Sequence, residues 1–423
     1  MIQLLRKICL GIAGIGALAV IAGLLSHNKA VWQPAAAIAS VFLAIGVGVV
    51  PALRGYQFTA WIIAAVVCPL IYPEHFLHVG PINLRNGWII LIIIQLVMFG
   101  MGTQMSLKDF AGVAKMPWGV FVGLFCQFTI MPLVGFALAK AFGFPPEIGA
   151  GIVLIGSCSS GLASNVMNYI AGANLGLSVT LTAFATLLAP LMTPLWMKWL
   201  AGSMVKVEFF KMMADIIKMV IVPIGAAMLH DYLKHTSRTG WNVAHGLAAV
   251  AAGYMIFLVS GGWTMLQERL GAQVFWAAMA GFLIVTPLVG VVYHHLSRLS
   301  GAINRAMPVF SMFGIIYFTA VTTAVGRDAL LAIGGLLVLA AIIHNTAGYV
   351  FGYWLSRAMG LNRNDARTVA IEVGLQNGGM ASGLAAAMNK LGTVGLASAI
   401  FSPWMNVSGS VLANHWKKRP VKQ

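Results

Sequence analysis

Apolar, uncharged runs recur from one end of this chain to the other, parted by short polar stretches that carry nearly all of its charge. A helix of roughly 18 or more such residues crosses a bilayer. The pattern predicts fourteen spans, near 8–25, 31–53, 57–73, 87–104, 117–139, 147–170, 175–200, 209–230, 243–264, 271–295, 306–326, 329–355, 366–389 and 391–414. No stretch reads as a soluble domain, a long linker or a low-complexity tail. The expected fold class is an all-α polytopic membrane protein.

Composition agrees: 60% of the 423 residues are hydrophobic and 9% charged, against about 25% charged in a soluble domain. The net charge of +16 changes the picture only through its distribution. One set of loops holds Arg6, Lys7, Arg54, Lys108, Lys115, Lys234, Arg238, Arg298, Arg305, Arg357, Arg363, Arg367, Lys417, Lys418, Arg419 and Lys422. The opposite set holds Lys29, Arg85, Lys140, Lys198, Lys206, Arg269, Arg327 and Lys390. Sixteen cations against eight mark the first face as cytoplasmic. The expectation is a multi-pass protein of the plasma (bacterial inner) membrane with both termini in the cytoplasm. Short basic loops do not form the continuous stripe that nucleic acid requires, so no nucleic-acid partner is expected. The opening "MIQLLRKICLGIAGIGALAVIAGLL" has no evident cleavage site and reads as a retained first helix. Cys9, Cys68, Cys126 and Cys158 fall in apolar segments without metal-ligand spacing, as buried small hydrophobes.

Two stretches repeat. "GFALAKAFGF" (135–144) and "GYWLSRAMGL" (352–361) share Gly, Leu, Ala and Gly at a constant offset. Each ends a span and is followed by a span opening into small residues, "GSCSSGLASN" (156–165) and "GLQNGGMASG" (374–383). Seven spans separate the copies, and an odd number of crossings inverts the second, which points to an inverted repeat. Small and polar residues in mid-span interrupt a helix and free backbone groups that lipid cannot satisfy. Two interrupted spans meeting near the midplane would offer N-termini to anions and carbonyls to cations.

Of ten acidic residues, eight lie in loops or at span ends, and Asp215 has Lys211 and Lys218 within helical reach. Glu372 alone sits inside a span without a basic neighbour on its membrane side. Such a charge costs at least ~2.5 kcal/mol, relieved by protonation, by a basic residue from another helix, or by a bound cation. Gln376, Asn377 and the carbonyls near Gly374 are neutral oxygens. One carboxylate among them suits a monovalent cation, since Ca²⁺ gathers more anionic oxygen.

In "GLASNVMNYIAGANLGLSVTLTAFATLLAPLMTP" (161–194), "CQFTIMP" (126–132), "IEVGLQNGGMA" (371–381) and "WMNVSGS" (404–410) the chain resembles the bile acid:sodium symporter family, across about 57–230 and 306–416. The resemblance implies panel and core domains and two broken, crossing helices, with two sodium sites behind the crossing and an organic anion in front. A first sodium site would use Ser164, Asn165, Ser178, Thr182 and Glu372. A second would use Gln127, Gln376, Glu372 and the carbonyls of Val373 and Leu375. Substrate would meet Gly161, Leu162, Asn377 and Asn406. The family's first crossing carries a proline, two glycines and a threonine where this chain has Ser159, Ser160, Gly161 and Leu162. At the second crossing Gly378 replaces a frequent serine, and Met405 stands where some members have histidine. These departures fall on the substrate side.

The resulting expectation is a sodium-coupled symporter of a small organic anion, probed against a proton-coupled carrier in which Glu372 titrates. An intramembrane serine hydrolase built from "SCSSG" and His344 lacks a nucleophile elbow, and no filter sequence suggests a channel. No basic residue marks the crossing, so helix dipoles, Asn377, Asn406 and serine hydroxyls would recognise the anion, which favours a small carboxylate metabolite. The expected organisation is an extra helix pair at 1–54, a first repeat at 55–205, a second at 206–416 with an extra pair near 243–295, and a cytoplasmic tail at 417–423. No organic cofactor is expected.

Overall fold

The structure is a computed structural model describing residues 2–421. Lys422 and the Arg54 side chain, counted above among the loop charges, lie outside the described residues, as do the side chains of Ile2, Ala52, Ala111 and Ala272. The chain is helical almost throughout. A first hairpin, α1 (Ile2–Leu25) and α2 (Lys29–Gly46), leads through 3₁₀ turns into α3 (Gln57–Ile71) and the one-turn α4 (Glu74–Leu77). A small β-hairpin, β1 (His78–Val79) with β2 (Ile82–Asn83), precedes α5 (Gly87–Gly102) and α6 (Leu107–Lys115). Then come α7 (Pro117–Ala141), α8 (Pro146–Ser157), α9 (Leu162–Ala171) and α10 (Leu175–Leu200).

The second half opens with α11 (Phe209–Ile216), which runs through a π turn into α12 (Val222–His235). Next are α13 (Arg238–Phe257), α14 (Trp263–Leu270), α15 (Val274–Leu299), α16 (Gly301–Val325) and α17 (Arg327–Ala358). The chain finishes with α18 (Arg363–Gly374), α19 (Gly378–Ala387) and α20 (Val394–Lys417). Asparagine side chains cap several of these helices, since their oxygen accepts an otherwise orphaned amide. Asn28, Asn86, Asn174, Asn362 and Asn377 all do so.

Among the described residues nine helices are long and apolar enough to cross a membrane, and a tenth is counted if α5 and α6, bent by 70°, make one span. The protein is therefore an all-α, multi-pass membrane protein. Large apolar side chains such as Ile15, Leu18 and Val259 stay exposed on the outer helices, where lipid rather than water is the natural neighbour. The four cysteines are free and buried. Asp215 pairs with Lys218 at 2.9 Å rather than with Lys211.

Two groups of helices organise the packing. Helices α3, α16, α5 and α12 pack in that order, each on the next, while α7, α8, α10, α17, α18 and α20 form a second set. The hairpin α1–α2 leans on α3, and the pair α13–α15 leans on α12. Between the groups lie the two interruptions. Helices α8 and α18 are each 12 residues long, and both their starts (363 less 146) and their ends (374 less 157) are 217 apart. Their continuations, α9 and α19, are each 10 residues long.

Candidate ion and substrate site

The interruptions meet. Residues 158–161 and 375–377 leave the helical path, and Ser160 pairs with Gln376 in a single antiparallel bridge. The Asn377 amide donates to the Ser159 carbonyl at 2.8 Å. Each break thus satisfies part of the other's freed backbone, which apolar surroundings demand. Side chains from neighbouring helices complete the task. Thr193 on α10 donates to Ser157 O at 2.7 Å, and Gln127 on α7 donates to Cys158 O at 3.0 Å. On the other break Asn345 on α17 donates to Gly374 O at 2.7 Å and is itself held by Ser408 Oγ at 2.5 Å.

Glu372 lies in the last turn of α18 and is 2% exposed. It makes no ion pair among the described residues. Ser178 Oγ donates to its Oε1 at 2.5 Å, and Asn168 Nδ2 donates to the same oxygen at 3.3 Å. Thr182 Oγ1 donates to Oε2 at 2.9 Å. The two hydroxyls also face Asn165 Oδ1, from 2.7 Å for Ser178 and 3.2 Å for Thr182. Ser164 Oγ lies 3.4 Å from Thr182 Oγ1 and donates to Gly161 O at 2.7 Å.

A hydroxyl carries one proton. Ser178 and Thr182 therefore cannot both serve the carboxylate and the Asn165 oxygen, and lone pairs are left facing one another. A cation relieves that excess, and oxygen from carboxylate, amide and hydroxyl is the donor set a hard cation takes. Ser164, Asn165, Ser178, Thr182 and Glu372 are thus brought together from α9, α10 and α18.

The second expected set converges in part. Gln127 Nε2 donates to Gln376 Oε1 at 2.9 Å, and Gln376 Nε2 donates to Val373 O at 2.6 Å. Gln127 Oε1 is buried without a hydrogen-bond partner, a state that native interiors seldom leave unrelieved. Leu375 lies in the break beside these groups. The hydrogen bonds of Glu372 run to Ser178 and Thr182 of the first set and to Asn168, and none to Gln127 or Gln376. Among the described residues no group of three His, Cys, Asp or Glu stands ready for a metal ion.

In front of the crossing is a cavity of about 370 Å³, lined by Gly161, Leu162, Asn377 and Asn406 together with Gln104 and Thr59. The size suits a small ligand. Among the described residues no charged side chain lines it. Helices α9 and α19 both begin at its wall, so two positive helix ends face the space. Asn377 Oδ1 accepts from Met380 N at 3.0 Å to cap α19, which leaves its amide nitrogen on the cavity side against Met101 Sδ. Asn406 Nδ2 donates back to Ser402 O at 2.8 Å.

Sequence reading missed Asn168. It is fully buried on α9, bonds both Ser178 (2.9 Å) and Glu372, and keeps an unpartnered Oδ1. Its spacing of three from Asn165 placed both on one helical face, a signal available in "SNVMN". The serine hydrolase arrangement is not assembled. His344 Nε2 bonds Met131 O at 2.9 Å, while Ser159 and Ser160 turn to Met380 and Thr182.

The comparisons with known proteins point the same way. Residues 91–265 match the family model described as the Sodium Bile acid symporter family. The chain is 30% identical over 370 residues to a sodium-dependent transporter of Bacillus subtilis (strain 168), covering 87% of this chain and 93% of that one. It is 27% identical to a probable chloroplastic sodium/metabolite cotransporter of Arabidopsis thaliana, over 86% of this chain and 74% of the relative. It is 28% identical to the ileal sodium/bile acid cotransporter of Homo sapiens, over 68% and 66%. These relatives are transporters and not enzymes, and with this overlap the chain belongs to the sodium/bile acid symporter family.

Proposed function

We propose that the protein is a sodium-coupled symporter of a small organic anion, working by alternating access. The observation that carries the reading is the buried Glu372 carboxylate, ringed by Asn165, Ser178 and Thr182 with more lone pairs than protons. Sodium bound there ties α9, α10 and α18 together and sets the position of the crossing. Ser164 adds a further oxygen. A second sodium sits between Gln127, Gln376 and the Val373 and Leu375 carbonyls, where Gln127 Oε1 awaits a partner. The anion, a small carboxylate metabolite, then binds at Gly161, Leu162, Asn377 and Asn406 against the two helix N-termini.

The same reading makes α8–α9 and α18–α19 the two broken helices of an inverted repeat. The matched lengths and offset of α8 and α18 support it. Fourteen segments then cross the bilayer, the shorter and bent helices included. Residues 55–205 and 206–416 are the repeats, 1–54 and 243–295 are added pairs, and 417–423 is a cytoplasmic tail. Helices α3, α5, α12 and α16 act as the panel, and the second packing group acts as the core. The substrate cavity is lined by Gly55, Gln104 and Pro308, close in sequence to Arg54, Lys108 and Arg305. It therefore opens toward the face with the excess of cations, the cytoplasm of a bacterial inner membrane.

Replacing sodium by choline in a thermal-shift screen of organic anions tests the function. Anion-dependent stabilisation should require sodium. Uptake that persists in choline and collapses with an uncoupler would instead assign coupling to a proton on Glu372.

A further inference from the structure

Away from both sites, a cavity of about 1310 Å³ lies where the end of α17, the start of α18, the α9–α10 turn and the C-terminal segment meet. Arg357, Arg363, Arg367, Lys417 and Arg419 line it, with Asp365 as the one carboxylate. That carboxylate is taken. Its Oδ1 accepts from Asn174 Nδ2 and its Oδ2 from Asn362 Nδ2, each at 2.7 Å. Among the described residues none of the five cations forms an ion pair. Charges that only set topology sit apart in solvated loops. Here they converge from separate stretches of chain on one concave surface.

Two of the cations are also held in place. Arg367 donates to Arg419 O at 2.9 Å, with its guanidinium 5.4 Å from the centre of the Trp416 ring. Arg357 donates to Leu361 O at 2.5 Å. Guanidinium forks match phosphate oxygens two at a time. The depth is informative too. Tyr169 lines the cavity and is 73% exposed, and Trp354 stands exposed on α17 one turn before Arg357. Exposed aromatic residues of this kind collect at headgroup level, and basic pockets between helices there take anionic headgroups.

We propose that this cavity binds a phosphate group, supplied by the headgroup of an anionic phospholipid. The inference does not depend on the transport reading. The test uses the full chain purified in detergent and exposed to equal phosphatidylglycerol and phosphatidylcholine, with retained lipid read by native mass spectrometry. Phosphatidylglycerol should be retained at least fivefold over phosphatidylcholine. The Arg363→Gln/Arg419→Gln variant should lose the preference, while Arg363→Lys/Arg419→Lys, which keeps the charge but not the forks, should retain part of it. A second arm adds inorganic phosphate at fixed ionic strength and follows melting temperature. A phosphate-dependent shift without lipid preference would overturn the lipid source. No preference and no shift, or the same result in the glutamine variant, would overturn the site.

Discussion

Ser178 stands between Glu372 and Asn165, 2.5 Å from one oxygen and 2.7 Å from the other, with a single proton to offer them. Three helices converge on that hydroxyl, and the oxygen left without its proton is the physical reason to place a cation beside it.

Removing the carboxylate tests that placement most directly. Glu372→Ala should abolish sodium-dependent thermal stabilisation and uptake while the protein still inserts. Asn168→Ala, which takes one bond from the same carboxylate, should weaken sodium about tenfold to a hundredfold, as loss of a charge-assisted hydrogen bond does. Sodium titrations of melting temperature report both. Normal sodium-driven uptake in the glutamate variant would falsify the assignment.

The second sodium rests on an orphaned oxygen, Gln127 Oε1. Gln127→Leu should reduce the Hill slope of sodium-activated uptake to one and leave the first site measurable by sodium-dependent stabilisation. A slope unchanged from the parent protein would remove Gln127 from the ion pathway.

Recognition of the anion should be separable from fold. Asp caps a helix as well as Asn, so Asn377→Asp keeps the α19 cap but puts a carboxylate into a cavity that, among the described residues, no cation lines. The KM for the anion should rise at least tenfold, with sodium-dependent stabilisation retained. Equal losses of both would make Asn377 a purely structural residue.

Close packing behind the first break gives a stability prediction. A Cβ on Gly156 would stand 2.5 Å from Met131 O and 3.0 Å from His344 Cε1. Gly156→Ala should cost about 1–3 kcal/mol, the usual range for overpacking, read as a lower melting temperature in detergent. An unchanged melting temperature would show that α7 and α8 can part at no cost.

Much of this site was written in local sequence. The small-residue patches announced both breaks, and the isolation of Glu372 among loop-bound acids singled it out. What escaped depended on distance in the chain. The spacing of Asn168 from Asn165 shows a shared helical face, but not that a carboxylate 204 residues later will need the Asn168 amide. Nor does a run of serines reveal that Ser160 will pair with Gln376. The bend after α5 had a local signal that the hydrophobic pattern overrode. Ser106 and Asp109 form a capping box, which starts a new helix where the span was expected to end in a loop.

The bridge between the breaks also bears on how the protein is made. The Ser159 carbonyl leaves the ribosome well before its amide partner at residue 377 exists. Until then the first half must cross the membrane with an open seam in its middle. Expressed alone it should be an insertion intermediate rather than a small carrier, because the two halves are not modules placed side by side but the two edges of one closure.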